Sequence, residues 1–414
     1  MFKQTITVVL AGSTGRHLPP LTAERAKAAV PFGGKYRVID FALTNCLHSG
    51  IRRILVLTQY KSHSLQKHIR DGWSVFNPEM GEYITTVPPQ MRTGEGWYAG
   101  TADALYQNRY LLERSGAEHV MALSGDHIYR MDYAPMMAFH KQHGGDVTIA
   151  GMAHAPADAA TYGVISIDEQ QRITALSDAQ VSDAPAPLTA NSSTTSPSTP
   201  GQLTSMGIYI FSTHKLLQIL KATHHSDQSA HSFVHDIIPT FIDNGTAHGY
   251  IFGGQSGRVT PDRYWRDIDT IDAYYQANMD LLDKTPPMNL YQEDWPVRTY
   301  SGQHPPARTV PGEYGDEGIA INSIISNGAV IAGGSSQHSI LFNDVFVDDE
   351  SMIQDSLLFD GVRVGKRVQL RNCIIDKEVE IPDGMEIGFD RAEDKKRFEV
   401  SPNGIVVIPK YYTF

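Results

Sequence analysis

The first half of the chain alternates between short apolar runs and longer segments with helical periodicity. Apolar runs rich in β-branched residues occupy positions 5–11, 53–58, 119–124 and 146–150, and each has the length of a buried strand. Residues 101–114 instead repeat apolar side chains at the spacing of one helix face. Strands that alternate with helices predict an α/β domain whose mostly parallel sheet carries helices on both faces.

Two later segments indicate how the chain is organised. Residues 181–202 are rich in Ser, Thr and Pro and predict a solvated loop inside the first domain, because the strand-like run SMGIYIF follows at once. Residues 284–318 are rich in Pro and lack periodicity. They predict a linker between a first domain of residues 1–283 and a second domain of residues 319–414.

The C-terminal segment repeats apolar residues every six positions, as at Val362, Val368 and Ile374. This period predicts a parallel β-helix, in which each coil buries an apolar corner against the next coil. A small antiparallel β domain is the alternative interpretation.

Composition narrows the class of function. The chain has 414 residues, enough for two domains, and its formal net charge of -11 argues against a nucleic-acid partner, which would need an excess of Lys and Arg. Cys46 and Cys373 lie far apart and match neither a disulfide framework nor a zinc-site spacing. The N-terminal apolar run is too short for a signal peptide or a spanning helix, so we expect a cytoplasmic protein with no membrane partner.

A glycine turn follows the first predicted strand, at the strand end where parallel sheets bind their ligands. It reads Gly12-Ser13-Thr14-Gly15-Arg16-His17-Leu18. Glycines there let backbone N–H groups approach phosphate oxygens, although the Gly-Lys-Ser/Thr of a P-loop is missing. Arg25 and Lys27 are placed to bring cations back to the same strand end. An ordinary turn followed by a solvated helix face is the alternative.

Two carboxylates suggest a metal site. Asp126 follows the third strand in Ser-Gly-Asp-His, and Asp267 lies in Tyr-Trp-Arg-Asp-Ile-Asp. Mg²⁺ usually takes one or two carboxylates plus substrate phosphates, so the pair predicts a magnesium site. Helix N-caps or surface acids are the alternative.

Trp97 and Tyr98 stand beside glycines and suit either a platform for a sugar or base, or core packing.

These motifs belong to long and specific runs, which are PFGGKYRVIDFALTNCLHSGIRRILVLTQYKSH, DGWSVFNPEM, GEGWYAGTADALYQN, SGDHIY, SMGIYIF, YWRDIDT and the hexapeptide region. Over nearly the whole chain they resemble bacterial glucose-1-phosphate adenylyltransferases (ADP-glucose pyrophosphorylases). The resemblance implies a Rossmann-like nucleotidyltransferase domain of the GT-A type with a mixed sheet, followed by a left-handed parallel β-helix. It also implies a homotetramer, or a heterotetramer with a paralogue. The implied reaction converts ATP and glucose 1-phosphate into ADP-glucose and pyrophosphate, for glycogen (α-glucan) synthesis.

The resemblance also assigns residues. It implies that Asp126 and Asp267 hold Mg²⁺ and that Lys27 acts near the phosphates. The positions implied for the sugar phosphate are Tyr98, Gly163, Asp178 and Ser205. Those implied for the nucleotide are Gly12, Gly15, Arg16, Gln59, Gly100 and Thr101. Gln59 and Trp97 also match residues in loops that, in the family, communicate with the effector site. Those implied for an allosteric effector are Arg25, Arg37, Arg114 and Lys377, with a further positive charge at Lys410.

The chain departs from the family pattern where phosphate charge is handled. The family's first loop has an Arg that contacts the ATP phosphates where this chain has His17, and a Gly where it has Ser13. A neutral imidazole cannot replace a guanidinium fork, although the adjacent Arg16 is a candidate to compensate. The family reads Glu-Lys-Pro where this chain reads Asp178-Ala179-Gln180, so the cation for the sugar phosphate is also absent.

These losses lead to two expectations. Turnover should be impaired, since each lost charge-assisted hydrogen bond costs about 1.5–3 kcal/mol. The alternative is a non-catalytic regulatory subunit or paralogue that assembles with an active partner, and a changed substrate specificity is a third option. In the effector region Glu24 replaces a lysine and Pro31 a histidine, so the response to sugar-bisphosphate activators should be altered or absent.

Overall fold

The computed structural model describes residues 2–90, 96–153, 163–177, 202–224, 226, 229–254, 257–258, 263–313 and 315–414. The predicted loop at 181–202, apart from Gln202, lies outside the described residues, as do Asp178 and Ala179.

Strands and helices alternate through the first 283 residues. The strands are β1 (Thr5–Ala11), β2 (Pro31–Phe32), β3 (Tyr36–Arg37), β4 (Arg53–Thr58), β5 (Tyr83–Val87), β6 (His119–Ser124), β7 (His127–Tyr129), β8 (Val147–Met152), β9 (Val164–Ile167), β10 (Ile173–Ser177), β11 (Gln202–Ser212), β12 (Ala247–Ile251) and β13 (Trp265–Asp267). The helices are α1 (Ile39–Ser49), α2 (His63–Gly72), α3 (Thr101–Gln107), α4 (Arg109–Ser115), α5 (Tyr133–His143), α6 (Thr213–Thr223), α7 (Ile238–Asp243) and α8 (Ile271–Met279).

Nine of these strands form one twisted sheet in the order β10-β9-β11-β6-β1-β4-β5, with β8 beside β11 and β12 beside β8. The segment β6-β1-β4-β5 is parallel, whereas β11 runs antiparallel to its neighbours β6, β8 and β9. The sheet is therefore mixed, as the family resemblance implied. The parallel pairing that the strand–helix alternation predicts is found in β6-β1-β4-β5 and between β8 and β12, and it is interrupted by β11 and by the antiparallel pair β9–β10. Apolar side chains cover both faces, which explains why β1 is buried along nearly its whole length.

The predicted strands at 5–11, 53–58 and 119–124 coincide with β1, β4 and β6. The prediction of one helix over 101–114 is wrong, because α3 ends and α4 begins at Asn108, which has φ -100° and ψ 11°. The Asn108 amide donates one hydrogen bond to the Ala104 carbonyl and another to the Tyr98 hydroxyl. A side chain that bonds the backbone of the preceding turn competes with helix continuation, and the apolar periodicity carries no signal of it.

The C-terminal part consists of short parallel strands stacked in three sheets. Its strands are β14 (Arg308–Val310), β15 (Ile319–Ile321), β16 (Ile324–Ile325), β17 (Val330–Ala332), β18 (Ser335–Gln337), β19 (Ile340–Leu341), β20 (Phe346–Val347), β21 (Met352–Gln354), β22 (Leu357–Leu358), β23 (Arg363–Val364), β24 (Gln369–Arg371), β25 (Cys373–Ile375), β26 (Glu380–Ile381), β27 (Glu386–Ile387), β28 (Glu399–Val400) and β29 (Val406–Ile408). One helix, α9 (Arg391–Arg397), lies near the end.

Each of the three sheets joins equivalent strands of successive coils, which is the arrangement of a parallel β-helix. In one sheet Ile340 pairs with Leu357 and Leu357 with Ile374, so the apolar side chains lie one above another. A coil has three sides, and each side contributes one short strand and one turn. This explains why apolar residues recur about every six positions. The antiparallel alternative is wrong except at the last pair, β28 with β29.

The two parts share a buried core. Phe32 and Tyr274 from the first part, and Met288 from the predicted linker, pack in one apolar cluster with Phe342 and Ile374 of the β-helix. The predicted linker at 284–318 contains β14, which pairs with β17 as the first strand of the β-helix. Burial of this joint surface fixes how the β-helix sits against the sheet domain. Cys46 and Cys373 are both buried and free.

Candidate active site

The loop after β1 turns sharply at Gly15. Its φ of +60° lies in the left-handed region, and a Cβ at this position would stand 2.8 Å from the Thr22 side chain. The Gly15 carbonyl accepts hydrogen bonds from the Thr22 hydroxyl and the Leu18 N–H, so the loop folds back on itself. Arg16 and His17 are exposed at its outer side. Among the described residues, neither side chain takes part in a hydrogen bond or ion pair that would fix it.

Lys27 lies on the short 3-10 helix that follows this loop, and its side chain is almost fully buried. Its Nζ stands 3.1 Å from Asp126 Oδ2 and 3.2 Å from Asp267 Oδ1. It also forms an ion pair with Asp269. Three of the predicted catalytic residues therefore meet at one point, at the carboxyl end of β6.

A two-stranded ribbon brings the two aspartates together. Strand β13 pairs antiparallel with β7, and this register sets Asp267 opposite His127, the residue after Asp126. The Asp126 carboxylate also accepts a hydrogen bond of 2.6 Å from the Ser124 hydroxyl. The His127 ring packs edge-on against Trp265, with ring centroids 5.0 Å apart. These contacts hold both carboxylates at the edge of the sheet, where open α/β sheets place their ligands.

Charge in this cluster is strongly coupled. Burial alone would lower the pKa of the Lys27 ammonium, but Asp126, Asp267 and Asp269 outweigh it and raise the pKa. Burial raises the pKa of Asp126, but the Lys27 ammonium, His127 and the hydrogen bond from Ser124 together outweigh burial, so the pKa of Asp126 falls below its usual range. Burial is the largest influence on Asp267 and raises its pKa. Repulsion from Asp269 and Asp126 raises the pKa further. Lys27 and Asp126 are therefore an ion pair at neutral pH.

The loop that carries Trp97 and Tyr98 is held in place by Gln59, the residue directly after β4. The Tyr98 N–H donates a hydrogen bond of 2.6 Å to Gln59 Oε1, and the Gln59 amide donates one of 3.4 Å to the Tyr98 carbonyl. Gly100 precedes α3, and a Cβ there would stand 2.2 Å from the His231 carbonyl oxygen. Only glycine fits this close approach. Trp97 is more than half exposed, at 57 %, and so does not pack in the core.

The remaining positions predicted for the sugar phosphate, Gly163 and Ser205, lie at or beside β11. The Ser205 N–H donates a hydrogen bond of 2.8 Å to the Gly163 carbonyl. A register shift in the β8–β11 pairing falls between Ser205 and Tyr209, with Gly207 inside it at φ +67°. The structure therefore brings Gly163 and Ser205 together. Asp178 lies outside the described residues.

Most of the predicted effector residues line a separate cavity of about 320 Å³. Its walls are Glu24, Arg25, Arg37, Ser64, Lys67, His68, Asp71, Tyr300, Lys377, Lys410 and Tyr411. Arg114 is not among these residues. It lies exposed on α4, so the grouping of Arg114 with the other effector residues is not reproduced within this chain.

Carboxylates already pair with most cations of this cavity. Arg25 forms a bidentate pair with Asp376 of the β-helix, with distances of 2.9 and 2.8 Å. The Lys377 Nζ stands 2.5 Å from Asp360. Burial lowers the pKa of Lys377 more than Asp360 raises it. Less positive charge is thus available to an anion than the count of basic residues suggests.

Sequence reasoning missed two residues of these sites. Asp269 is the third carboxylate against Lys27, and its signal was present in Asp-Ile-Asp, because residues two apart along an extended segment point to the same side. Asp376 is the partner of Arg25, 351 residues away in sequence, and no local pattern marks it.

Two family models match the chain. The model described as nucleotidyl transferase matches residues 6–284, and the model described as GlmU-like, C-terminal hexapeptide matches residues 305–408. The second match agrees with a left-handed β-helix. No helix among the described residues has both the length and the apolar character needed to cross a membrane.

The chain is also similar along its whole length to curated proteins. It is 54% identical over 413 residues to glucose-1-phosphate adenylyltransferase 2 of Vibrio cholerae, covering 100% of this chain and 99% of that protein. It is 56% identical over 409 residues to the protein of the same name from Vibrio vulnificus, with 99% of each covered. A more distant relative, glucose-1-phosphate adenylyltransferase of Koribacter versatilis, is 41% identical, with 99% of this chain and 96% of that protein covered. The chain therefore belongs to the glucose-1-phosphate adenylyltransferase family of nucleotidyltransferases.

Proposed function

We propose that this chain transfers the adenylyl group of ATP to glucose 1-phosphate, for α-glucan synthesis. A phosphate oxygen of glucose 1-phosphate attacks the α-phosphorus, the bond from that phosphorus to the bridging oxygen breaks, and pyrophosphate leaves with the electron pair. The observation that carries the proposal is the buried Lys27 ammonium among Asp126, Asp267 and Asp269, next to the loop that follows β1. Family membership supports the same reaction.

Lys27 is suited to stabilise charge on phosphate oxygens. Its raised pKa keeps it protonated throughout the neutral range, so it is a permanent cation. Phosphoryl transfer depends mainly on positioning and on electrostatic stabilisation of the non-bridging and leaving oxygens. A buried ammonium contributes more to this than an exposed one, because water screens it less.

The carboxylates fit a divalent cation. Asp126 and Asp267 offer the hard oxygen donors that Mg²⁺ prefers. The cluster contains three carboxylates and one ammonium, so it retains an excess negative charge that a divalent ion would balance. We propose that Asp126 and Asp267 hold Mg²⁺, which when bound would draw the phosphate oxygens together and offset their charge. His127 orients the pair from the side, 3.7 Å from Asp126.

The nucleotide would then lie along the loop of Gly12, Gly15 and Arg16. We propose that the sugar phosphate lies on the opposite side, between Tyr98 and the Gly163–Ser205 contact, with Asp178. Gln59, Gly100 and Thr101 shape this region by fixing the loop of Tyr98 and the start of α3. In this arrangement His17 and Ala179 leave both substrates short of a cation, and we propose that turnover is reduced for that reason.

A pyrophosphate-release assay tests the proposed reaction. Purified protein with ATP, glucose 1-phosphate and Mg²⁺ should release pyrophosphate, and omission of any one of the three should stop the release. Asp126→Asn should lower the rate at least 100-fold, on the order of the loss of one strong transition-state contact. Asp243→Asn, at an exposed helix end, is the matched control and should keep the rate. No release above the blank at high protein concentration would reject the proposal.

His17 supports a second candidate function. The residue is exposed on the loop after β1 and provides no fixed positive charge there. A chain that assembles with an active paralogue and regulates it needs the fold and the interface but not the phosphate cations. Mixing the protein with an active family member should then change that partner's effector response or oligomer size. Unchanged kinetics and an unchanged mass in light scattering would exclude this role.

We propose that the chain forms a tetramer, as a homotetramer or with a paralogue. Exposed apolar side chains on one face of the β-helix, at Ile319, Ile321 and Met352, support an interface there. We also propose the functional division into a catalytic unit of residues 1–283 and a β-helix unit from residue 319. Sedimentation analysis of the full chain measures the assembly state directly.

A further inference from the structure

Outside the proposed catalytic cluster, three metal-ligating side chains meet beside α3. They are Asp103 on α3, His224 at the end of α6, and His231 in the segment that follows. One ligand atom from each side chain lies within 4.8 Å of the other two. Among the described residues this is the one group of His, Cys, Asp and Glu with such a geometry.

The Asp103 carboxylate has one satisfied and one unsatisfied oxygen. Its Oδ2 accepts a hydrogen bond of 2.9 Å from the Ala99 N–H and one of 2.8 Å from the Gln107 amide. Its Oδ1 is buried and accepts no hydrogen bond from the described residues, although it stands 3.5 Å from His224 Nδ1. Asp103 is only 3 % exposed, so water cannot readily satisfy this oxygen. The carboxylate is thus oriented by a hydrogen-bonded second shell, with its open oxygen toward the imidazoles.

Both histidines are held in place by independent contacts. The His224 ring stacks on Tyr106, with centroids 3.6 Å apart and planes at 15°. The His231 carbonyl accepts a hydrogen bond of 2.9 Å from the Ala102 N–H, at the start of α3. Two residues on, the Phe233 N–H donates to the Thr101 hydroxyl. The two rings therefore converge on Asp103 from one side, with centroids 5.6 Å apart.

We propose that Asp103, His224 and His231 form a binding site for a divalent transition-metal ion of the Zn²⁺ type, distinct from the Asp126–Asp267 cluster. Two imidazole nitrogens and one carboxylate suit Zn²⁺, Co²⁺ or Ni²⁺, whereas Mg²⁺ prefers oxygen donors and retains its water. Three protein ligands leave a fourth position for water. The ion satisfies the open oxygen of Asp103 and ties His224 and His231 to α3.

This site is linked to the predicted sugar-phosphate loop. The Asp103 carboxylate accepts a hydrogen bond from the N–H of Ala99, the residue after Tyr98. The Tyr98 hydroxyl accepts a hydrogen bond of 2.9 Å from the amide of Asn108, at the end of the same helix. An ion at Asp103 would therefore stabilise both ends of α3 and the loop that precedes it. This consequence rests on the proposed function, but binding of the ion itself does not.

The test uses the full-length protein after chelation and removal of the chelator, in saturating Mg²⁺ to occupy any oxygen-only site. Calorimetric titration with Zn²⁺ should give one ion per chain. Co²⁺ should give visible absorption of the intensity typical of a four-coordinate site. His224→Gln and His231→Gln should each weaken Zn²⁺ binding by about 100-fold or more. His214→Gln, at an exposed position on α6, is the matched control and should bind like the unmodified protein.

Three results would overturn the proposal: no Zn²⁺ uptake by the unmodified protein, a Co²⁺ spectrum of purely octahedral type, or unchanged affinity in both histidine variants. The titrations of the unmodified protein decide the matter even where a variant fails to fold. Because none of these measurements needs turnover, an inactive protein that binds one Zn²⁺ would reject the proposed reaction and leave this site standing.

Discussion

Lys27 Nζ lies 3.1 Å from Asp126 Oδ2, in a buried ion pair that joins the loop after β1 to the end of β6. This pair places a permanent cation beside the two carboxylates proposed to hold Mg²⁺. The ammonium offsets part of their mutual repulsion and also stands where phosphate oxygens would develop charge. Its removal should therefore lower both the reaction rate and the stability of the carboxylate cluster.

Lys27→Met should lower the rate of pyrophosphate release at least 100-fold, about 2.7 kcal/mol of transition-state stabilisation. Lys215→Met removes an exposed lysine from α6 and should leave the rate unchanged. Circular dichroism of both variants checks the fold. An equal rate for the Lys27 variant and the unmodified protein would contradict a role for this cation.

His17→Arg, alone and combined with Ala179→Lys, should increase turnover. Each restored charge-assisted contact is worth about 1.5–3 kcal/mol, so roughly 10- to 100-fold per site is expected, with incomplete additivity. His17→Gln keeps the position neutral and should give no gain. Steady-state kinetics with ATP and glucose 1-phosphate measure the change, and an unaltered rate in the double variant would mean that the missing cations do not limit turnover.

Glu24→Lys should make the enzyme more sensitive to sugar-bisphosphate activators. Glu24 lines the cavity of Arg25, Arg37 and Lys377, and its carboxylate stands 3.8 Å from Lys61 Nζ. Replacement by lysine removes a negative charge and adds a positive one where an anion would bind. Activation curves should shift to lower activator concentration, and Glu79→Lys, at an exposed position outside the cavity, should leave them in place.

Arg25→Met should destabilise the protein by about 3–5 kcal/mol, because it leaves the buried Asp376 carboxylate without its partner. The double variant Arg25→Met with Asp376→Leu should recover much of this loss. Lys221→Met breaks the exposed pair with Glu113 and should cost less than about 1 kcal/mol. Urea unfolding measures all three, and a small effect of the single Arg25 change would show that the joint between the sheet domain and the β-helix does not depend on this pair.

The unfolding free energy should fall in acid because of His140. Burial, and then the neighbouring His119, His143, His248 and Lys141, lower the pKa of His140 from 6.5 to about 3. Below pH 6.5 the unfolded chain binds a proton that the folded protein refuses, so stability is lost as the pH falls toward 3, by about 2 kcal/mol at pH 5 for this one group. His140→Gln should flatten the pH dependence of unfolding between these limits. His63→Gln, at an exposed position, should preserve it.

Local patterns predicted a large part of this protein. The β-branched runs gave the positions of β1, β4 and β6, and the six-residue period gave the β-helix, because both signals depend on which residues close together along the chain are buried. The family resemblance added the mixed sheet and pointed to Lys27, Asp126 and Asp267, which the structure brings together.

Other features depend on contacts between residues far apart in sequence. The pairing of Arg25 with Asp376 spans 351 residues, and the convergence of Asp103 with His224 and His231 joins side chains more than 100 positions apart in sequence. At the break between α3 and α4, the Asn108 amide donates to the Ala104 carbonyl and also to the Tyr98 hydroxyl, which lies outside the helix. Sequence by itself determined the positions of β1, β4 and β6 and the repeating coils of the β-helix. Only the tertiary structure decided which charges face each other, because that depends on chain segments meeting through packing rather than on local preference.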